Sequence, residues 1–320
     1  MVDYNGLLLF NQIHQLSSPI ELDSFGNKLT MEIKDEVEPT QKQESIEEIF
    51  LPARTLDEPL PKYFFRFLDE ECRWFRYTVR ELKAEEGINT DGDLSTFYKP
   101  EERTCDIFLT SGGYVFFRGA KSEIQGFVDR FYSRLRDIGI NRHHKEIRFD
   151  SDYLLWIFYH YRLNKSLPTE LGVDLLTDAK VVGDRDRVGS FNRVSGSTDV
   201  GKSAPVLTGI LNGKNISMLG GVFTLDGIKI TADIEVDGRI HIKTDNTINQ
   251  LNQEGRIVTS VVFLQGLCKL REHWQKLENS KRYPPIEFFE EISDNLENAG
   301  VEVQIAIEPV IEEYRKKRER

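Results

Sequence analysis

Residues 196–203, Gly-Ser-Thr-Asp-Val-Gly-Lys-Ser, match the pattern GxxxxGK[ST] letter for letter. That spacing suits phosphate chemistry: glycine amides can cradle an anion, a lysine can neutralise it, and a hydroxyl can hold magnesium. Arg193, Gly196, Ser197, Thr198, Gly201, Lys202 and Ser203 are therefore the candidate phosphate- or anion-binding set. The surrounding sequence argues against a standard nucleotide triphosphatase. A phosphate loop normally follows a buried parallel strand, which reads as a continuous apolar run, but Ser190-Phe-Asn-Arg-Val-Ser195 precedes this one. Pro205 lacks an amide and fits only a first helical turn, so Ser203 reads as the cap of a helix starting beside it. A bland alternative is a mobile glycine-rich connector in which Asp184, Asp186 and Asp199 neutralise most of the cations Arg185, Arg187, Arg193 and Lys202.

A second constellation is cationic. Residues 107–148 hold eight Lys and Arg against four Asp and Glu, in a chain whose formal charge is -11. Arg118, Lys121, Arg130, Arg134, Arg142 and Lys145 are interleaved with Tyr114, Phe116, Phe117, Phe131 and Tyr132. Such interleaving can neutralise and stack single-stranded nucleic acid. The same letters arise when aromatics form a core and arginines line its solvated rim.

Weaker patterns are few. Asp23 with Glu32 and Lys34 has the carboxylate–lysine spacing of a metal-dependent nuclease, but alternating charge on an exposed strand gives the same letters. His143-His144 lies in the polar stretch NRHHKE and reads as surface. Cys72, Cys105 and Cys268 are odd in number and widely spaced, which fits reduced thiols in a cytoplasmic chain rather than a zinc site. No cofactor fingerprint, nucleophile elbow or catalytic triad is present, and no cofactor is expected.

The elements that must position these residues follow from periodicity. With 320 residues, 39% of them hydrophobic, the chain can bury a full core. The longest apolar run, Ile257 to Leu264, is too short to span a bilayer. Acidity concentrates at the N-terminus, where residues 1–60 hold 4 cations and 12 anions. In that segment Leu7, Leu8, Phe10, Ile13 and Leu16 suggest a helix, residues 19–34 a hairpin, and Asp35 to Glu48 an exposed linker. Strands are expected at YFFRFL and RWFRYTV, at IFLT and YVFFRG, and at KEIRFD; a helix over 122–138 should stop at Gly139. An apolar helix follows from Asp152, apolar nearly all round, as if buried between two halves.

The stretch Gly221 to Thr244 allows a sharper expectation. A two-residue Asp226-Gly227 turn puts Phe223 opposite Ile230 on one face. At Val236-Asp237-Gly238 only a three-residue loop, with Gly238 left-handed, pairs Ile234 with Ile240 and Ala232 with Ile242. It also sets Glu235 opposite Arg239 and Asp233 opposite His241, on the solvent face. A long helix over about 259–278, a helix from Pro285 to Gly300, a strand VEVQIAI and a terminal helix complete the chain.

These elements define an α+β fold: antiparallel hairpins and a three-stranded meander packed with helices. The expected division is an acidic helix–hairpin segment with linker (1–60), an aromatic-rich α+β domain (61–165) and a C-terminal α+β domain (166–320). The favoured function is a non-catalytic cytoplasmic binding protein that engages a phosphate-bearing partner, plausibly nucleic acid within a larger assembly, together with protein partners and no membrane. A nucleotide-binding or hydrolysing protein with an atypical phosphate loop and a pure protein-interaction subunit are the alternatives.

Overall fold

The structure is a computed structural model that describes residues 8–22, 46–55, 72–137, 139–140, 143–186, 189–225, 227–243, 253–300 and 307–319. The fold is mixed α+β, and the chain divides into two compact units, residues 10–147 and residues 1–9 with 148–320.

The first unit contains β1 (Leu8–Leu16), β2 (Ile46–Thr55), β3 (Cys72–Ile88), β4 (Leu94–Thr110), β5 (Tyr114–Arg118), α1 (Ile124–Asp137) and β6 (His144–Glu146). The strands pair antiparallel in the order β2-β3-β4-β5-β1, and β6 also pairs with β1. The β3–β4 register runs unbroken from Cys72↔Thr110 to Ile88↔Leu94, so residue parity fixes which face each side chain takes. The odd-numbered Phe75, Tyr77, Val79, Cys105, Ile107 and Leu109 are buried with Ile124, Phe127, Phe131 and Leu135 of α1. Gly139 closes α1 at φ +78°, with Ile140 N–H donating to the Leu135 carbonyl at 2.8 Å.

Two expectations for the N-terminal segment fail. Residues 8–16 form strand β1, not a helix. A bulge between Phe10 and Gln12 interrupts the two-residue alternation, so the buried apolar residues fall at 8, 10, 13 and 16, with Asn11 and His14 buried beside them, a spacing that imitates a helix. The expected linker ends early, because Ile46–Glu48 already pair with β3. The hairpin beyond Leu22, the rest of the linker, YFFRFL and VEVQIAI fall outside the described residues.

The second unit contains α2 (Ser151–Arg162), β7 (Leu171–Asp186), β8 (Gly189–Val194), a 3-10 turn (Val200–Lys202), α3 (Ala204–Leu211), β9 (Asn215–Leu225), β10 (Ile228–Glu235) and β11 (Ile240–Lys243). Helices α4 (Gln253–Lys276), α5 (Asn279–Arg282), α6 (Ile286–Asn298) and α7 (Glu308–Glu319) follow. Its strands are antiparallel in the order β11-β10-β9-β7-β8. The meander has the expected registers: Phe223↔Ile230 in the first hairpin, Ile234↔Ile240 and Ala232↔Ile242 in the second, with Gly238 at φ +86°. Arg239 and Glu235 form the expected ion pair. Helix α2 buries Tyr153 to Phe158 and packs on β7 and β9 of its own unit.

Candidate functional site

The glycine-rich segment enters from β8, which pairs antiparallel with β7. The Asp178 carboxylate accepts from the Ser195 hydroxyl, from Thr177 Oγ1 at 2.6 Å and from Gly196 N–H at 3.3 Å. Burial alone would raise the Asp178 carboxyl. The hydrogen bonds from Ser195 and Thr177, with the Lys243 ammonium, outweigh it and hold the group below the usual carboxylate range. Asp199 accepts from Gly201 N–H at 2.9 Å and from the Tyr161 hydroxyl at 3.0 Å, and pairs with Lys202 Nζ at 3.3 Å. The amides of Ser197, Lys202 and Ser203 donate to the carbonyls of Thr177, Asp199 and Val200.

This is a capped connector whose donors serve internal acceptors, two of them carboxylates. Arg193 and Thr198 are exposed, and Lys202, 86% exposed, extends outward from its Asp199 partner. Ser203 stands at the N-cap of α3 with Pro205 in the first turn, as expected, though its hydroxyl makes no cap bond. The cleft beside it, about 500 Å³, is charge-balanced: Arg162 faces Glu291 at 3.3 Å and Asp174 faces Lys229 at 3.2 Å.

In the cationic stretch Arg118 is spent on the fold. Asp106 is buried on the face of the β3–β4 ribbon opposite the α1 core. It accepts from Arg76 Nε at 2.9 Å and Nη2 at 2.8 Å, from Arg118 Nη1 at 2.7 Å and from the Trp74 indole at 3.2 Å. The rings expected to stack bases, Tyr114, Phe116, Phe117, Phe131 and Tyr132, are all buried. Lys121 and Lys145 are exposed, Arg130 and Arg134 are half-buried on α1, and Arg142 lies outside the described residues. Asp23, Glu32 and Lys34 also lie outside them.

His144 stacks on Tyr132 at 3.5 Å between centroids, with buried His14 5.4 Å from both rings. Burial, then the neighbouring His144, pushes His14 down to about 4. The three cysteines are buried free thiols.

Sequence reasoning missed two features. One is a polar row across the second unit's sheet, His241 on β11, Asp233 on β10, Gly220 on β9 and Asp178 on β7, joined by register. Lys243 Nζ lies 2.8 Å from Asp233 and 3.8 Å from Asp178, one ammonium shared between two carboxylates, while burial lowers the pKa of His241.

The other is an arm. β2 pairs with β3 only as far as Glu81, and β5 pairs with β4 only over Asp106–Leu109. From Leu82↔Pro100 to Ile88↔Leu94 the two strands pair, among the described residues, only with each other, a reach of about 20 Å at 3.3 Å per residue. Asn89 closes the tip, its side-chain oxygen accepting from the amides of Asp91 and Asp93. Ile88, Leu94 and Tyr98 share the even-numbered face and are 72%, 73% and 63% exposed. Phe97 lies on the other face, its ring 3.1 Å from where a Cβ on Gly87 would stand. Over residues 82–100 the sequence has Glu85, Glu86, Asp91 and Asp93 against Lys83 and Lys99.

No protein-family model matches the chain, and no curated protein matches it. The fold and site define an α+β protein with an exposed apolar arm and no metal-ligating cluster among the described residues. No helix among them is long and apolar enough to cross a membrane.

Proposed function

We propose that the protein is a non-catalytic interaction subunit that docks a basic protein partner on its β3–β4 arm. The observation that carries this is the exposure of Ile88, Leu94 and Tyr98 on one face of an acidic two-stranded ribbon. A two-stranded hairpin is marginal in water by itself and gains stability when a further strand or surface covers it. Its edges, unpaired among the described residues, suit strand addition, and its apolar face supplies the anchors. The acidic side chains select a basic surface and disfavour a second copy of the same arm, which would set carboxylates against carboxylates. The phosphate-bearing partner expected from the sequence draws less support, because the loop's amides and Arg118 already have internal partners.

The test places a photo-crosslinking amino acid at Tyr98 in the full chain within its own cells and identifies the adduct by mass spectrometry. The expected result is one dominant adduct with a protein of basic surface, lost in Leu94→Asp and weakened in Glu85→Lys/Glu86→Lys. Neither variant should change the unfolding midpoint by more than about 2 °C, since the sites are exposed. Absence of an adduct, an adduct with this chain itself, or one indifferent to both variants overturns the proposal.

A further inference from the structure

Besides the balanced cleft beside Lys202, the second unit has a groove of about 370 Å³ where the C-terminal turns of α2, α4, α5 and α7 meet. Lys165, Lys281 and Arg318 line it, with His160 and His273, and no carboxylate is among the lining residues. In a chain of net charge -11 that is a local concentration of one sign, and a concave wall focuses its field. Half-buried Tyr159 and Tyr283 over the buried Trp156 form the aromatic part of the wall, and serine, proline and leucine side chains complete it.

Two of the cations, Lys165 and Arg318, are held in position by the groove itself. Lys165 Nζ sits 3.3 Å from the Tyr159 hydroxyl and 5.2 Å from its ring centroid. Arg318 Nη1 donates to the Tyr283 carbonyl; at Lys281 the Trp156 indole holds only the backbone, through its carbonyl at 3.2 Å, while the ammonium is exposed and lies 3.8 Å from Glu278 at the groove's outer edge. Side chains fixed before binding lose less freedom on binding. The His160 ring lies 4.4 Å from Trp156, and its Nδ1 is buried without a hydrogen-bond partner among the described residues. Burial, then the Lys165 ammonium, lowers its pKa, so at neutral pH the ring is uncharged and can donate or accept.

We infer that this groove binds a small organic anion with a planar ring, of the mononucleotide class. Lys165, Lys281 and Arg318 take the phosphate, and Tyr159 and Tyr283 take the ring. The volume lies at the small end of ligand cavities and suits one such molecule rather than a polymer. Three cations supply the charge-assisted contacts that phosphate needs. This site lies outside the GxxxxGK[ST] segment and is independent of the arm.

The test titrates adenosine 5′-monophosphate into the full chain, read by calorimetry and tryptophan fluorescence, with adenosine and inorganic phosphate as separate probes. The expected result is one saturable site for the nucleotide that weakens with added salt, with each part alone binding at least tenfold more weakly. Lys165→Ala/Arg318→Ala should weaken it at least tenfold, and Lys281→Ala, at a position whose side chain is 70% exposed, about threefold. Thermal unfolding confirms that both variants fold. Absence of saturable binding at millimolar nucleotide, binding unchanged in the double variant, or equal affinity for inorganic phosphate or adenosine alone overturns the inference.

Discussion

Replacing Asp106 by alanine tests whether Arg118 belongs to the fold or to a ligand surface. Asp106 is 4% exposed at its side chain, and its partners Arg76 and Arg118 are 13% and 18% exposed, so solvent screens the cluster little. At about 4 Å and an effective dielectric constant of about 20, each guanidinium attracts the carboxylate by about 4 kcal/mol before desolvation. Removing the carboxylate leaves two guanidinium groups and the Trp74 indole without that acceptor. Losing the carboxylate partner of charges of this kind costs about 3–5 kcal/mol, a fifth or more of a typical total of about 5–15 kcal/mol. With a urea slope of about 2 kcal/mol per M, the midpoint should fall by roughly 1.5–2.5 M. The assay is urea unfolding followed by circular dichroism, run also for Arg118→Met and the double variant. The cycle should give a coupling of about 1.5–3 kcal/mol. If Asp106→Ala costs less than about 1 kcal/mol and the cycle is additive, Arg118 is not spent on Asp106, and the case for a cationic ligand surface over residues 107–148 returns.

Two further outcomes follow from the same structure. The His14 pKa is depressed from 6.5 to about 4, so between those values the unfolded chain binds the extra proton and stability rises with pH. Acidifying from pH 7 to pH 4 should cost about 3 kcal/mol from this group, a dependence that His14→Gln should remove in unfolding curves taken across that window. Gly221→Ala should be the more disruptive change: a Cβ there would stand 2.1 Å from the Leu175 carbonyl oxygen, backbone that cannot rotate aside. A loss above about 3 kcal/mol in thermal unfolding is expected, and a near-neutral result would mean that β7 and β9 are not in the described register.

The parts of the fold legible in the sequence are those in which neighbours along the chain also decide the geometry. The second meander hairpin was specified by apolar parity around Val236-Asp237-Gly238, because a one-residue slip would have exposed Ile240 and Ile242. The α1 stop at Gly139 was likewise local. Non-local pairing defeated the rest. β1 is a strand because it lies between β5 and β6, and its bulge conceals the alternation that would have revealed it. Asp106 gathers partners 12 to 32 residues away, and Asp178 meets Asp233 and Lys243 only through strand order. The outer half of β3, Leu82 to Ile88, has too little alternation to be read as strand and is held by pairing with β4.

The same distinction governs the cations. Composition located a cluster over residues 107–148 and a lysine in a phosphate-like motif, but a cation can attract a ligand only with charge that its neighbours have not neutralised. Lys202 sits 3.3 Å from Asp199, and Arg118 sits 2.7 Å from Asp106. Lys165 and Arg318 instead meet a hydroxyl and a carbonyl, neutral acceptors that orient a cation and leave its charge in place. These residues are 153 positions apart in the sequence, on either side of a sheet and several helices, so no window of the sequence could bring them together. A groove in which Lys165 and Arg318 are oriented by neutral acceptors, with only the exposed Lys281 beside a carboxylate, Glu278 at 3.8 Å, is a better host for an anion than a motif whose lysine already has its carboxylate.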